Sequence, residues 1–155
     1  MEKHEGGCSC GDVRYHITDE PLFTHACHCK LCQRYTASAF VVHSLIEASN
    51  FVVDKGKLIT TVGPSGSGSG HSIQRCERCG DQVFSHFSAI GTDQILVFKT
   101  TTLDNAESFP PLAHIFIKSK LSWVELGTDI PSFDEFYDTD EIYSKRSLER
   151  RSKFN

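Results

Sequence analysis

Seven cysteines, all that this 155-residue chain contains, fall into three groups whose spacing suits a metal ion. Cys8 and Cys10 form C-x-C, Cys27, Cys29 and Cys32 form C-x-C-x-x-C, and Cys76 and Cys79 form C-x-x-C. Zinc bound by thiolates is tetrahedral with Zn–S near ~2.3 Å, which places neighbouring sulfurs roughly 3.8 Å apart. A C-x-x-C turn meets this demand by folding back, and C-x-C meets it by sending alternate side chains to one side of extended backbone. Seven thiolates divide into a closed set of four and an open set of three. Closed sites hold structure, and a site with a free position can do chemistry.

Cys27, Cys29 and Cys32 fit one ion as a local tripod. The distant pairs Cys8/Cys10 and Cys76/Cys79 would then share a second ion and tie the N-terminus to the middle of the fold. Gly80 directly after Cys79 fits this reading, because a knuckle commonly needs a positive φ there. Spacing alone also permits the reverse pairing, and His25, His28 or His71 could complete the tripod. Three thiolates leave a zinc centre with net negative charge and blunted Lewis acidity, whereas hydroxide at neutral pH comes more easily from imidazole-ligated zinc. A sulfur-rich centre is better suited to binding another sulfur. A substrate thiol at the fourth position would be held as thiolate, ready to add to a small electrophile or to leave from an adduct.

An odd cysteine count can also mean disulfides with one thiol to spare. The opening Met1-Glu2-Lys3-His4-Glu5-Gly6-Gly7 lacks the apolar stretch of a secretory signal, and nowhere do ~20 apolar residues run together. The expectation is therefore a cytoplasmic protein with no membrane role, whose thiols serve metal. Formal charge is −4, and seven thiolates with two zinc ions take it to about −7. That balance argues against a protein built to grip a phosphate backbone and leaves a zinc-ribbon nucleic-acid binder a weak alternative, so no nucleic-acid partner is expected.

The elements that must position these cysteines read as strands. Val13, Tyr15 and Ile17 alternate with polar residues, as does Gln82–Phe87. Ala39–Val42, Gln94–Phe98 and His114–Ile117 are short apolar runs bounded by turn formers. No helical period is sustained before residue 130, so a mainly β architecture is predicted, of a size that makes one domain. Gly63-Pro64-Ser65-Gly66-Ser67-Gly68-Ser69-Gly70 is a flexible loop just before Cys76. The tail beyond Ser132 is acidic and then basic, and reads as a solvated extension with a short helix over Asp140–Arg150.

Several segments together resemble the glutathione-dependent formaldehyde-activating enzyme family, whose superfamily includes centromere protein V. They are Gly6-Gly7-Cys8-Ser9-Cys10-Gly11-Asp12-Val13-Arg14-Tyr15, Cys27-His28-Cys29-Lys30-Leu31-Cys32-Gln33-Arg34, Cys76-Glu77-Arg78-Cys79-Gly80, Thr102-Leu103-Asp104-Asn105, Pro111–Phe116, and Trp123-Val124-Glu125-Leu126 with Ile130-Pro131. The resemblance implies a zinc-binding domain over residues 5–136, followed by a charged extension over 137–155. It also implies several small coiled antiparallel sheets organised around two zinc sites. Cys8, Cys10, Cys76 and Cys79 would hold the structural ion, and Cys27, Cys29 and Cys32 the reactive one. Two features depart from the family pattern: Ala37 stands where many members have glycine, and Arg75 where an aromatic residue often precedes the knuckle.

The activity implied is that of a carbon–sulfur lyase run in reverse, joining a glutathione-like thiol to an aldehyde such as formaldehyde. Glutathione carries two carboxylates, so its site should offer fixed positive charge. Lys30 and Arg34 flank the tripod and are candidates for that contact, and His71 beside the flexible loop is a third. The rival reading keeps both zinc ions in a non-catalytic scaffold, as the centromere relative suggests. A homo-oligomer is compatible with either.

Overall fold

The computed structural model describes residues 3–154. Ten strands form two sheets among the described residues, as expected of a mainly β chain. In the smaller sheet β1 (His4–Gly7) pairs with β2 (Arg14–Ile17), and β2 with the later strand β5. The larger sheet draws on β3 (Phe23–Cys27), which leads into helix α1 (Lys30–Thr36), and β4 (Val41–Glu47). After β5 (Phe51–Lys55) come β6 (Leu58–Gly63), β7 (His71–Cys76), β8 (Gln82–Phe87), β9 (Ile95–Lys99) and β10 (His114–Ile115). The order across the larger sheet is β10-β3-β4-β9-β8-β7-β6, antiparallel except where β10 runs parallel to β3.

This sheet is covered on both faces, which explains its uninterrupted apolar runs. On one face Ile46, Leu96 and Phe98 pack against Val13, Tyr15, Ile17 and Phe51 of the small sheet. On the other, Phe23, Val41, Leu45, Ile95 and Val97 pack against Ala113, Ile115, Tyr137 and Tyr143 from the C-terminal part of the chain. Alternation along β4 and β9 assigns successive residues to opposite cores. Between them Ser44 meets Thr24 and Thr100, hydroxyl to hydroxyl at 2.8 Å each, so these buried polar groups are satisfied.

Three local expectations need correction. A helix, α1, does precede residue 130. It has no buried residue and therefore no apolar stripe from which a period could be read. The expected strand over His114–Ile117 stops at Ile115, because Phe116 takes a left-handed φ of 55° and begins a turn. The tail is docked rather than solvated. It carries two helices, α2 (Thr139–Ile142) and α3 (Lys145–Arg151), close to the helical stretch expected. Arg150 of α3 donates to Glu47 at 2.7 and 2.5 Å and to the Glu20 carbonyl at 2.9 Å, and both charged side chains are buried. Burial opposes ionisation of Glu47, yet the Arg150 hydrogen bonds outweigh it and hold the carboxyl below its usual range. Among the described residues no helix is long and apolar enough to cross a membrane.

Candidate functional site

All seven cysteines are free thiols, and they gather into the two sets of four and three. Cys8 follows β1 and Cys76 ends β7, so the four-cysteine cluster joins the small sheet to the large one across 66 residues of chain between Cys10 and Cys76. Sulfur separations of 3.5 Å (Cys8–Cys10) and 3.8 Å (Cys10–Cys76) match what a tetrahedral zinc thiolate site requires. The supporting backbone is formed too. Val13 N–H donates to Cys8 Sγ at 3.3 Å, and Gly80 N–H closes the second knuckle on the Cys76 carbonyl at 2.9 Å. Gly80 has φ +80°, as the sequence reading requires. Asp81 accepts from Ser9 N–H at 2.7 Å and from its hydroxyl, locking one knuckle to the other. Arg75, the departure from the family pattern, donates to the Gly80 carbonyl at 3.1 Å.

The three-cysteine cluster lies at the opposite face of the large sheet. Cys27 ends β3, Cys29 is the N-cap of α1, and Cys32 is in its first turn, with Cys32 N–H donating to Cys29 Sγ at 3.3 Å. All three sulfurs lie within 4.8 Å of one another, and no fourth His, Cys, Asp or Glu joins the set among the described residues. Of the histidines that could have completed it, His25 is bonded to the Tyr137 hydroxyl (2.9 Å), His28 to His114 (3.1 Å) and His71 to the Pro64 carbonyl (3.2 Å). Gln33 fixes the turn by donating to the carbonyls of His28 and Ser119.

Within each cluster the thiols compete for ionisation. Hydrogen bonds from Cys27 and Cys32 pull Cys29 down to about 2, while Cys27 is pushed up to about 12 chiefly by Cys29 itself. In the other cluster Cys8 falls to about 6, because the Val13 N–H and neighbouring thiols outweigh burial. Thiols this close cannot all ionise unless a cation stands among them, and a dication held there would supply it.

Cys29 and Cys32 form one wall of a cavity of about 40 Å³. Leu31, Val41 and Phe87 make its apolar surface, and Pro64–Gly66 of the Gly/Ser loop close its edge. The Pro64 carbonyl is held by Tyr35 Oη–H (3.2 Å) as well as by His71, whose ring stacks on Phe87 at 4.3 Å. Gly63 lets the loop approach this closely, since a Cβ there would sit 2.1 Å from the Tyr35 oxygen.

Three polar side chains also reach the cavity. Gln82 is turned inward by a bulge at Gln74/Arg75 and donates to Ser85 at 3.2 Å. His43 and Lys99 face each other across the β4–β9 ladder. His43 Nε2 is 3.6 Å from Cys32 Sγ, and burial first, then Lys99, push this imidazole down to about 4, so it is neutral at pH 7. Burial likewise lowers Lys99.

Of the substrate-contact candidates read from sequence, only His71 lines this cavity. Lys30 is exposed and donates to Gln33 at 3.3 Å, and Arg34 is exposed in the last turn of α1. His43 and Lys99 went unnoticed in the sequence although a signal was there. Each follows an apolar run at the parity of Val41 and Val97, which are core residues of the face that carries the tripod.

The sequence profile of the family described as glutathione-dependent formaldehyde-activating enzyme matches residues 3–119. Among solved structures, the crystal structure of a Rhodobacter sphaeroides protein is similar, with 16% identity and a TM-score of 0.49 over 83% of this chain and 98% of the other. A likeness at that level carries no functional argument.

Proposed function

This chain belongs to the glutathione-dependent formaldehyde-activating enzyme family, and on that premise we propose that it is a zinc-dependent carbon–sulfur lyase joining a glutathione-type thiol to a small aldehyde. The observation that carries the reading is the open set of three thiols in the wall of a small, mostly apolar cavity, on the face of the sheet opposite a closed set of four. Cys8, Cys10, Cys76 and Cys79 hold the structural ion, for which their sulfur separations already fit. Cys27, Cys29 and Cys32 hold the reactive ion. Zinc in that tripod would hold the incoming thiol as thiolate.

The chain's own contribution is positional. The turn fixed by Gln33 presents Cys29 and Cys32 to the cavity, neutral His43 lies against Cys32, and the apolar walls exclude water that would compete with the thiol. Cysteine usage and the acidic balance support a cytoplasmic enzyme with small-molecule partners and no nucleic acid.

Metal quantification together with a glutathione titration tests this. The protein should carry two zinc ions and bind glutathione through sulfur, with S-methylglutathione at least tenfold weaker. It should also make S-(hydroxymethyl)glutathione from glutathione and formaldehyde. Equal affinity for the two glutathione forms, with both metals in place and no turnover, would return the scaffold reading to first place.

A further inference from the structure

Building on the proposed lyase activity, we propose that Lys99 is a catalytic residue that hydrogen-bonds the aldehyde oxygen and neutralises the alkoxide formed on it. Four observations converge. Lys99 is the only lysine or arginine that lines the cavity. It is partly buried, and among the described residues no carboxylate lies within 4.0 Å of its ammonium. It stands directly across the ladder from His43, which touches Cys32, so its ammonium is on the same face as the tripod. A lysine lining a mostly apolar pocket with no ion pair, reached by Arg75, Asp81 and Cys32 only through space, carries a desolvation cost that a surface lysine avoids, which marks it as functional.

The cavity says what this cation meets. About 40 Å³ is room for on the order of three waters, enough for a one- or two-carbon aldehyde and too little for the body of glutathione. The enclosed part of the cavity thus suits glutathione's sulfur end, with its carboxylates toward the open mouth.

In the reaction the thiol proton leaves for solvent when the thiolate forms. The sulfur lone pair then makes the C–S bond, and the C=O π pair moves onto oxygen. Negative charge thus passes from sulfur, where the tripod site held it, to an oxygen with no metal of its own. A preorganised donor at that spot is worth most in the transition state. Lys99 supplies one proton to the alkoxide and regains one from water, so no net proton is consumed beyond the one first released.

The test uses the zinc-loaded full chain with Lys99→Met and Lys99→Arg. Lys99→Met should keep two zinc ions and bind glutathione within threefold of the unchanged protein, yet lose roughly 100-fold or more in kcat for adduct formation. Lys99→Arg should recover at least a tenth of the rate. As a readout independent of turnover, formate should bind the glutathione-saturated protein calorimetrically and bind at least tenfold more weakly to Lys99→Met. A Lys99→Met enzyme with kcat within threefold of the original overturns the proposal, as does one that weakens glutathione binding while keeping kcat. If the unchanged protein itself forms no adduct, the lyase reading has failed and this inference with it. Normal turnover in both proteins rejects Lys99 alone.

Discussion

The two cysteine clusters lie against opposite faces of one sheet, and almost everything else about them differs. The four-cysteine cluster draws its sulfurs from two knuckles 66 residues apart, with Cys8 and Cys76 in the core between the two sheets and Cys10 and Cys79 exposed. The three-cysteine cluster comes from six consecutive residues and borders the core built with the C-terminal segment. The first is locked by Ser9, Asp81, Gly80 and Arg75. The second opens on a cavity edged by a Gly/Ser loop. On the proposed reading, a structural and a reactive thiolate set would differ less in ligand type than in the distance over which the ligands are gathered.

The sharpest way to break this contrast is to remove one ligand from each cluster. Cys76→Ser should unfold the junction of the two sheets, because binding free energy at a site assembled by folding is folding free energy. A loss of at least ~4 kcal/mol, or a Tm lower by about 8–16 °C, is expected by scanning calorimetry. Cys29→Ser should abolish adduct formation, reduce zinc from two ions to one, and lower Tm by less than half as much. Equal thermal losses in the two variants would erase the distinction.

Next in size is the anchor of the C-terminal segment, which covers the face that carries the three-cysteine cluster. Arg150→Met leaves Glu47 buried and unpaired and should cost ~3–5 kcal/mol. The pH dependence has a definite sign. The folded carboxyl of Glu47 ionises below the usual carboxylate range, so this stabilisation is complete once an unfolded glutamate would be ionised and is lost as pH falls through the folded value. Hydrogen exchange in α3 of the native protein should accelerate in that acid range. In Glu47→Gln the same protection should be weak already at pH 7.

A smaller effect separates the clusters from the other side. Asp81→Asn weakens the Ser9 clasp between the two knuckles and should cost ~1–2 kcal/mol of stability. Glutathione affinity should stay within twofold, since the three-cysteine cluster is on the other face. A matching loss in glutathione binding would show that the two centres are coupled through the sheet.

The smallest change expected is a gain. Ala37 ends α1 with a left-handed φ of 49°, a conformation costing an L-residue roughly 1 kcal/mol. Ala37→Gly should raise stability by up to ~1 kcal/mol in urea titration. A loss instead would mean that the alanine methyl packs in a way that repays its strain.

The metal clusters and strands were legible because each signal is local. C-x-x-C spacing needs one turn, and the runs at Ile95–Phe98 and Gln82–Phe87 state their own period. The cavity was not legible in the same way, because His43 and Lys99 are 56 residues apart in sequence and meet only through the β4–β9 register. Charge near the tripod pointed to Lys30 and Arg34, but a short exposed helix turns such neighbours toward water. The tail misled for a related reason. Its charges suggested solvation, whereas Tyr137, Tyr143 and Arg150 find partners supplied by segments more than a hundred residues earlier.

The wide span of the four-cysteine cluster also sets an order of events during synthesis. A chain emerges from its N-terminus at ~5–20 residues per second, so Cys32 is available ~2–10 s before Cys79. In that interval Cys8 and Cys10 are exposed beside a complete tripod, and either one could join a metal bound there in a four-thiolate arrangement that the finished fold must undo. Metal supplied early therefore risks a kinetic trap, while metal supplied after the two sheets have met finds both sites already separated by a wall of packed side chains.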